Sequence, residues 1–345
     1  MENPQLDDSS LEEFLISLMR IDSTTGKEGA CCTALSEYFT KTGWTVKSAP
    51  LPDQPERASL LICTDSKPRV LFNTHIDTVP PFIPPTVSAD GRTVLGRGSC
   101  DAKGQLAAMT FAAIKLRREG RADVGLLLTV DEETTHEGIV ACNALNLSPE
   151  CLVVGEPTEL TFASGQKGAL KVRLRARGRA AHSGYPEMGA SALEPLLDVL
   201  QDLRDTKWPR HDVLGETTMN IGKLSAGVAL NVLPPEAEAS LFFRVTTTAD
   251  ECLDMVKAVT QGRCELSVIG KSEPLFFQTL EGHDTNVAAF NTDAPYFHCD
   301  PAVTKRFLLG AGSIKDAHSE REFVRLEDLN KLVDILVRIS TTQVG

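Results

Sequence analysis

The run Val124-Gly125-Leu126-Leu127-Leu128-Thr129-Val130, followed at once by Asp131-Glu132-Glu133, decides how this chain is read. The apolar stretch reads as a buried strand, and two neighbouring carboxylates stand just past its end. The same order occurs three more times. Val70 to Phe72 precedes His75 and Asp77; Cys151 to Val154 precedes Glu156; Phe307 to Leu309 precedes, after a glycine-rich turn, His318. In an open α/β sheet the residues just beyond the carboxyl ends of parallel strands line the ligand crevice. Four strand exits are therefore expected to aim imidazoles and carboxylates at one place.

Outward from these strands, apolar residues recur at helical spacing over residues 10–20, 28–41 and 102–119, and Gly120 stops the last of these. Shorter β-type segments cover residues 45–48, 60–63 and 69–73. Strand and helix alternate as far as Val154, which predicts a mostly parallel-sheet α/β domain. After Gly165 the grammar changes. Leu170, Val172, Leu174 and Ala176 alternate with Lys171, Arg173, Arg175 and Arg177, the two-residue period of a strand with one wet face. The elements that follow, at 190–203, 217–224, 237–245, 250–261 and 265–269, complete a βαββαβ order, which is the ferredoxin-like α+β unit. The expected organisation is one domain from 1–165 plus 271–345, interrupted by an inserted domain at 166–270. A closing helix is expected at 326–339.

Composition excludes several classes. The chain has 345 residues, is 42% hydrophobic and 24% charged, and carries a net charge of -12, so it lacks the basic face that nucleic-acid binding requires. No apolar run approaches the roughly 20 residues of a membrane-crossing helix. Residues 1–15 are acidic, without the cationic start of a secretory leader. Nine cysteines, with no C-x-x-C pair, read as reduced thiols of a cytoplasmic protein.

Singly, these residues say little: a lone H-x-D is a common loop accident, and Asp101 reads as an ordinary carboxylate at a helix start. Together they are more specific. In extended backbone His75 and Asp77 share a face, so the carboxylate can orient the imidazole for a metal. Asp101, Glu133, Glu156 and His318 add the mixed oxygen and nitrogen donors that suit Zn²⁺ or a similar ion. Three carboxylate ligands and a hydroxide balance two divalent ions and leave Glu132 as a base able to carry a proton to a leaving amine.

The motifs Thr74-His75-Ile76-Asp77-Thr78-Val79-Pro80, Gly96-Arg97-Gly98 with Asp101-Ala102-Lys103-Gly104, Asp131-Glu132-Glu133, Gly155-Glu156-Pro157-Thr158, and Ala317-His318-Ser319 with Glu322 resemble the co-catalytic zinc deacylase and exopeptidase family. That family includes acetylornithine deacetylase, succinyl-diaminopimelate desuccinylase, aminoacylase and glutamate-releasing carboxypeptidases. The likeness runs from His75 to Phe323. It leans toward acetylornithine deacetylase at Gly155 to Thr158, Asp293-Ala294-Pro295-Tyr296 and Leu309 to Ile314.

The resemblance implies that His75, Asp101 and Glu156 hold one metal, and Asp101, Glu133 and His318 the other. It implies Glu132 as general base and acid, Asp77 as the group orienting His75, and a cis bond between Asp101 and Ala102. It further implies two divalent ions, Zn²⁺ first and Co²⁺ as an alternative, and a homodimer through residues 166–270. His182 would reach the oxyanion across the interface. Arg244, Asn231, Gly312 and Ser313 would hold the substrate, an N-acyl amino acid of the N-acetylornithine type. A guanidinium grips a carboxylate bidentately, which makes Arg244 the candidate for the substrate α-carboxylate. The loop after His75 departs from relatives: it is proline-rich (Pro80, Pro81, Pro84, Pro85) and lacks a tryptophan. The rival readings are a dipeptidase or carboxypeptidase of the same family, and a catalytically silent metal-binding interaction protein.

Overall fold

The computed structural model describes residues 5–65, 67–299 and 303–344. The first four residues of the acidic amino-terminal segment lie outside that range. The chain divides into two compact units, one of residues 1–164, 277–286 and 292–345, the other of residues 165–276 and 287–291. The segments 271–276 and 287–291, which the pattern reading placed in the first domain, thus group with the second.

A six-stranded sheet forms the centre of the first unit, in the order Thr45–Leu51, Gln54–Cys63, Val124–Thr129, Val70–His75, Cys151–Val154, Lys305–Leu308. The last four strands run parallel. The first two form an antiparallel hairpin, and its second strand lies antiparallel to Val124–Thr129. The sheet is therefore mixed, with a parallel core that is buried throughout Val70–His75, Val124–Thr129 and Cys151–Val154. Two-faced burial is why those strands are runs of Val, Leu, Phe and Cys rather than alternating sequences.

Helices Leu11–Met19, Gly29–Lys41, Lys103–Arg118 and Leu326–Gln343 contribute to the core of this unit. Ser10 caps the first of these, accepting from the Glu13 N–H at 3.1 Å, the first half of a Ser-x-x-Glu capping box. Lys103–Arg118 turns Leu106, Met109, Ala113 and Leu116 into the same core as Phe14, Phe39, Phe72 and Phe307. Each helix falls within about three residues of its predicted ends, except that Leu326–Gln343 runs four residues further.

In the second unit a four-stranded antiparallel sheet has the order Thr218–Ala226, Glu236–Val245, Gly168–Arg177, Glu265–Ser272. Helices Leu193–Asp205 and Ala249–Thr260 cover one face of it. Their apolar residues join Leu170, Val172, Leu174, Leu241 and Phe243 in a separate core. This is the βαββαβ unit, with a small extra hairpin at Arg210–His211 and Gly215–Glu216. No helix among the described residues is long and apolar enough to cross a membrane.

Candidate active site

His75 ends its strand, and Glu132 and Glu133 follow the neighbouring one. The parallel pairing of Thr129 with His75 sets these exits side by side. His75 Nδ1 lies 2.8 Å from the Asp77 carbonyl oxygen. A carbonyl only accepts, so Nδ1 carries a proton, and Nε2, the nitrogen left for a metal, lies 3.0 Å from Asp101 Oδ1 and 4.0 Å from Glu156 Oε2. The Asp77 carboxylate itself stands 3.6 Å from Nδ1. Its oxygens are engaged elsewhere, by the N–H groups of Glu132 and Glu133 at 3.1 and 3.2 Å and the Thr25 hydroxyl at 2.9 Å. The Asp77 carbonyl is thus the nearer partner of the imidazole, with the carboxylate just beyond it. The side chain also clamps the glutamate turn.

Asp101 occupies the middle. Its second oxygen, Oδ2, lies 3.2 Å from His318 Nε2, and the same nitrogen is 3.1 Å from Glu133 Oε2. The Asp101–Ala102 bond is cis. Glu322 fixes the approach to Asp101: its Oε1 accepts from the N–H groups of Gly98, Cys100 and Asp101 at 2.9 to 3.2 Å. The other oxygen of Glu322 takes Arg97 Nη1 at 2.6 Å, while that guanidinium donates to the His318 and Ser319 carbonyls. One buried ion pair therefore sets both the aspartate and the distant histidine.

Asp131, His136 and His318 adopt positive φ of 65°, 60° and 64°. Left-handed backbone is uncommon for non-glycine residues, and Asp and His are among the types that tolerate it. Two of these residues bracket the turn that carries Glu132 and Glu133. Arg57 pins that turn from behind, with Asp131 Oδ1 at 2.7 Å and both oxygens of Glu28 at 2.7 Å.

Glu132 makes no hydrogen bond to the Asp101 group. Its Oε1 lies 3.7 Å from His136 Nδ1, which in turn lies 3.0 Å from Asp293 Oδ1. Sequence reading passed over His136, Arg57 and Gln105. Gln105 joins the Cys100 and Ala311 carbonyls through its amide nitrogen, and no spacing rule singles it out. Asp293 and Glu322 stood in motifs without a role.

Burial is the largest influence on Glu132 and, with the charge of Glu156, raises its pKa well above the ordinary glutamate value. Glu156 is likewise raised, by burial first and then by Asp101 and Glu133, against the opposing pull of His75. For Asp101, burial is outweighed by His318 and His75, which lower it. Hydrogen bonds to Asp101 and Glu133 push His318 up to about 10. Four carboxylates thus crowd the buried His75 and the half-exposed His318. Such an excess of buried negative charge, with mixed N and O donors, fits a pair of divalent cations. His75, Asp101 and Glu133 already place ligand atoms within 4.8 Å of one another.

Gly312 and Ser313 lie in the first unit. Gly312, at φ 77°, has Cys100 where its Cβ would stand, so only glycine fits there. The Ser313 hydroxyl donates to Glu159 at 2.6 Å. His182, Asn231 and Arg244 belong to the second unit. His182 is exposed and accepts from the Gly184 N–H at Nδ1, 3.1 Å away, which leaves Nε2–H as its donor in the neutral ring. The backbone oxygen of Asn231 accepts from Ser183 N–H at 2.9 Å, next to that histidine. Arg244 stacks on Phe242 at 4.1 Å, burial lowers its pKa, and no carboxylate pairs with it among the described residues.

A parallel-sheet domain that presents such donors at its strand exits, joined to a ferredoxin-like insert, defines a metallohydrolase of the two-domain type. Residues 164–264 match the peptidase dimerisation domain of the M20 family. A peptidase M20 domain-containing protein of Schizosaccharomyces pombe is 36% identical over 91% of this chain and 80% of its own length. A probable carboxypeptidase of Aspergillus terreus is also 36% identical, over 94% of this chain and 84% of its own. The chain belongs to the M20 peptidase family of metal-dependent hydrolases. Its fold is shared with a tripeptidase of Staphylococcus aureus (TM-score 0.80, 21% identity, 97% of this chain and 100% of that one). It is shared too with an M20 metallo-carboxypeptidase of Sulfolobus solfataricus (TM-score 0.75, 16% identity, 95% and 98%).

Proposed function

We propose that the protein is a two-metal amidohydrolase that cleaves an amide whose nitrogen belongs to an amino acid with a free α-carboxylate. The observation that carries this is Asp101, whose two oxygens face His75 and His318 at 3.0 and 3.2 Å, with Glu132 left outside the pair. His75, Asp101 and Glu156 would hold one ion, and Asp101, Glu133 and His318 the other, with Zn²⁺ as the first choice and Co²⁺ as an alternative. When bound, such ions supply Lewis acidity toward the scissile carbonyl.

Glu132 takes a proton from the attacking water and delivers it to the departing nitrogen as the C–N bond breaks, so the residue ends as it began. Burial raises its pKa above the ordinary glutamate range, the direction that helps it hold the proton between the two transfers. His182 Nε2–H would donate to the developing oxyanion, and Arg244 would pair with the α-carboxylate, a role its unpaired guanidinium supports. Asn231, Gly312 and Ser313 are proposed as further substrate contacts. For Ser313 this requires its hydroxyl to exchange Glu159 for the ligand.

The acyl half has two readings. The first is a small acyl group on an N-acetylornithine-like amino acid, supported by the Gly155 to Thr158 and Leu309 to Ile314 motifs. Asp293, part of the same likeness, lends it no support, because that residue is buried against His136 and Thr129. The second is a peptide, and the relatives named as probable carboxypeptidases favour it. A homodimer through the second unit is part of the proposal, supported by the family match and by exposed Val228 and Leu230. So is a reducing, cytoplasmic setting, supported by nine unpaired cysteines. The test is metal-stripped protein, recharged with Zn²⁺ or Co²⁺ and given N-acetyl amino acids and dipeptides side by side, each with a C-terminally amidated control. Hydrolysis should return with metal and fail on the amidated forms; no turnover of either series would refute the proposal.

A further inference from the structure

Behind Glu132 stands a polar chain that the hydrolytic scheme does not use. The Thr129 hydroxyl donates to Asp293 Oδ2 at 2.6 Å. Asp293 Oδ1 lies 3.0 Å from His136 Nδ1, and the same nitrogen lies 3.7 Å from Glu132 Oε1. All four residues are buried. The His136 ring is stacked on Tyr296, with centroids 4.3 Å apart and planes inclined by 17°, so it is not free to turn. Its backbone is set as firmly. His136 has φ 60° at the start of helix Glu137–Cys142, and Gly138 in that helix packs where a Cβ would strike the Val130 carbonyl.

A carboxylate only accepts hydrogen bonds, so Nδ1 beside Asp293 must carry a hydrogen. That N–H serves Asp293 and lies within ion-pair distance, 3.7 Å, of Glu132 Oε1. We propose that His136, held by Asp293, is a positioning residue for Glu132: it fixes Oε1 on the protein side and leaves Oε2 turned to the substrate. This rests on the reading of Glu132 as the base. Strand exit, histidine and aspartate then form one rigid mount, and a base misplaced by about 1 Å costs on the order of 100-fold in rate.

The test compares His136→Ala, His136→Asn, His136→Gln and Asp293→Asn in the zinc-loaded protein, with Glu132→Gln as reference, reading kcat, KM and bound metal. Asparagine tolerates the left-handed backbone and carries its amide N–H where Nδ1 stands, whereas glutamine moves the donor one bond further out. His136→Ala and His136→Gln should lose roughly 30- to 100-fold in kcat. KM should stay within about twofold and both metals should remain, since neither ligand set is touched. His136→Asn should recover at least about tenfold of the loss.

If His136→Ala fails to fold, the contrast between Asn and Gln decides alone. Equal rates for those two would overturn the proposal, as would a His136→Ala kcat equal to the parent beside an inactive Glu132→Gln. Full activity of Glu132→Gln would instead remove the reading beneath it. A third equivalent of Zn²⁺ bound by the parent and lost in Asp293→Asn would also overturn the positioning role, making the trio a cation site.

Discussion

The two units handle charge in opposite ways. In the first, charged side chains are buried and converge: Arg57 meets Glu28 and Asp131, Arg97 meets Glu322, and both pairs end at the turns that carry Asp101, Glu132 and Glu133. In the second, they are spread along a wet sheet face. Arg173, Arg175 and Arg177 on one strand pair with Glu238, Glu236 and Glu265 on its two neighbours, none of them buried. Buried charge demands partners in fixed geometry, because an unpaired ion in a low dielectric is expensive. Surface charge makes no such demand. The first unit can therefore hold a reaction centre, while the second neutralises its own face and leaves Arg244 without a carboxylate.

Substitutions should divide along that line. Glu132→Gln should remove on the order of 10³–10⁴ of kcat and leave metal content intact, because it deletes only a proton carrier. Atomic absorption beside steady-state rates checks this; a count below that of the parent would make Glu132 a ligand. Arg57→Ala strands Glu28 and Asp131 in the interior and should cost about 3–5 kcal/mol of stability, read by denaturant titration. A loss under 1 kcal/mol would mean that water reaches the pair.

His182 puts the comparison to its hardest test, since it is exposed and lightly held. If it serves the oxyanion, His182→Ala should lower kcat about 100-fold with KM little changed. Mixing it with Glu132→Gln should restore part of the activity if the histidine acts across a dimer. An equal rise in KM would instead place it in ground-state binding. Glu322→Gln, which keeps shape but weakens the grip on three backbone N–H groups, should reduce metal affinity by about 10- to 100-fold. Competition with a chelating dye measures it.

What the sequence revealed follows the same division. The strand exits were legible because each is a short apolar run ending in a chemical residue, and the βαββαβ insert because Leu170 to Arg177 alternates without a break. The candidate ligands came from motifs that are local. Their supports did not, since Arg57 lies 74 residues from Asp131 and Arg97 lies 225 from Glu322. His136 gave no signal at all, because its place depends on a positive φ and on an aspartate 157 residues away. Pattern puts His75 and Asp77 on one face, but it does not show the backbone donors of the next strand exit that also engage the Asp77 carboxylate.

The smallest effect belongs to Arg175. Its guanidinium meets Glu236 at 2.8 Å across the ladder, with the two side chains 39% and 58% exposed. Both ends sit in water, so the Coulomb gain is screened and side-chain freedom is lost in making the contact. Arg175→Ala should therefore change unfolding free energy by no more than about 0.5 kcal/mol, and by less still at high salt. Denaturant titration at two ionic strengths reads both values. A loss near that of Arg57→Ala would mean that this face is covered in solution. The wet sheet would then have to be treated as an interface whose paired charges are buried like those of the first unit.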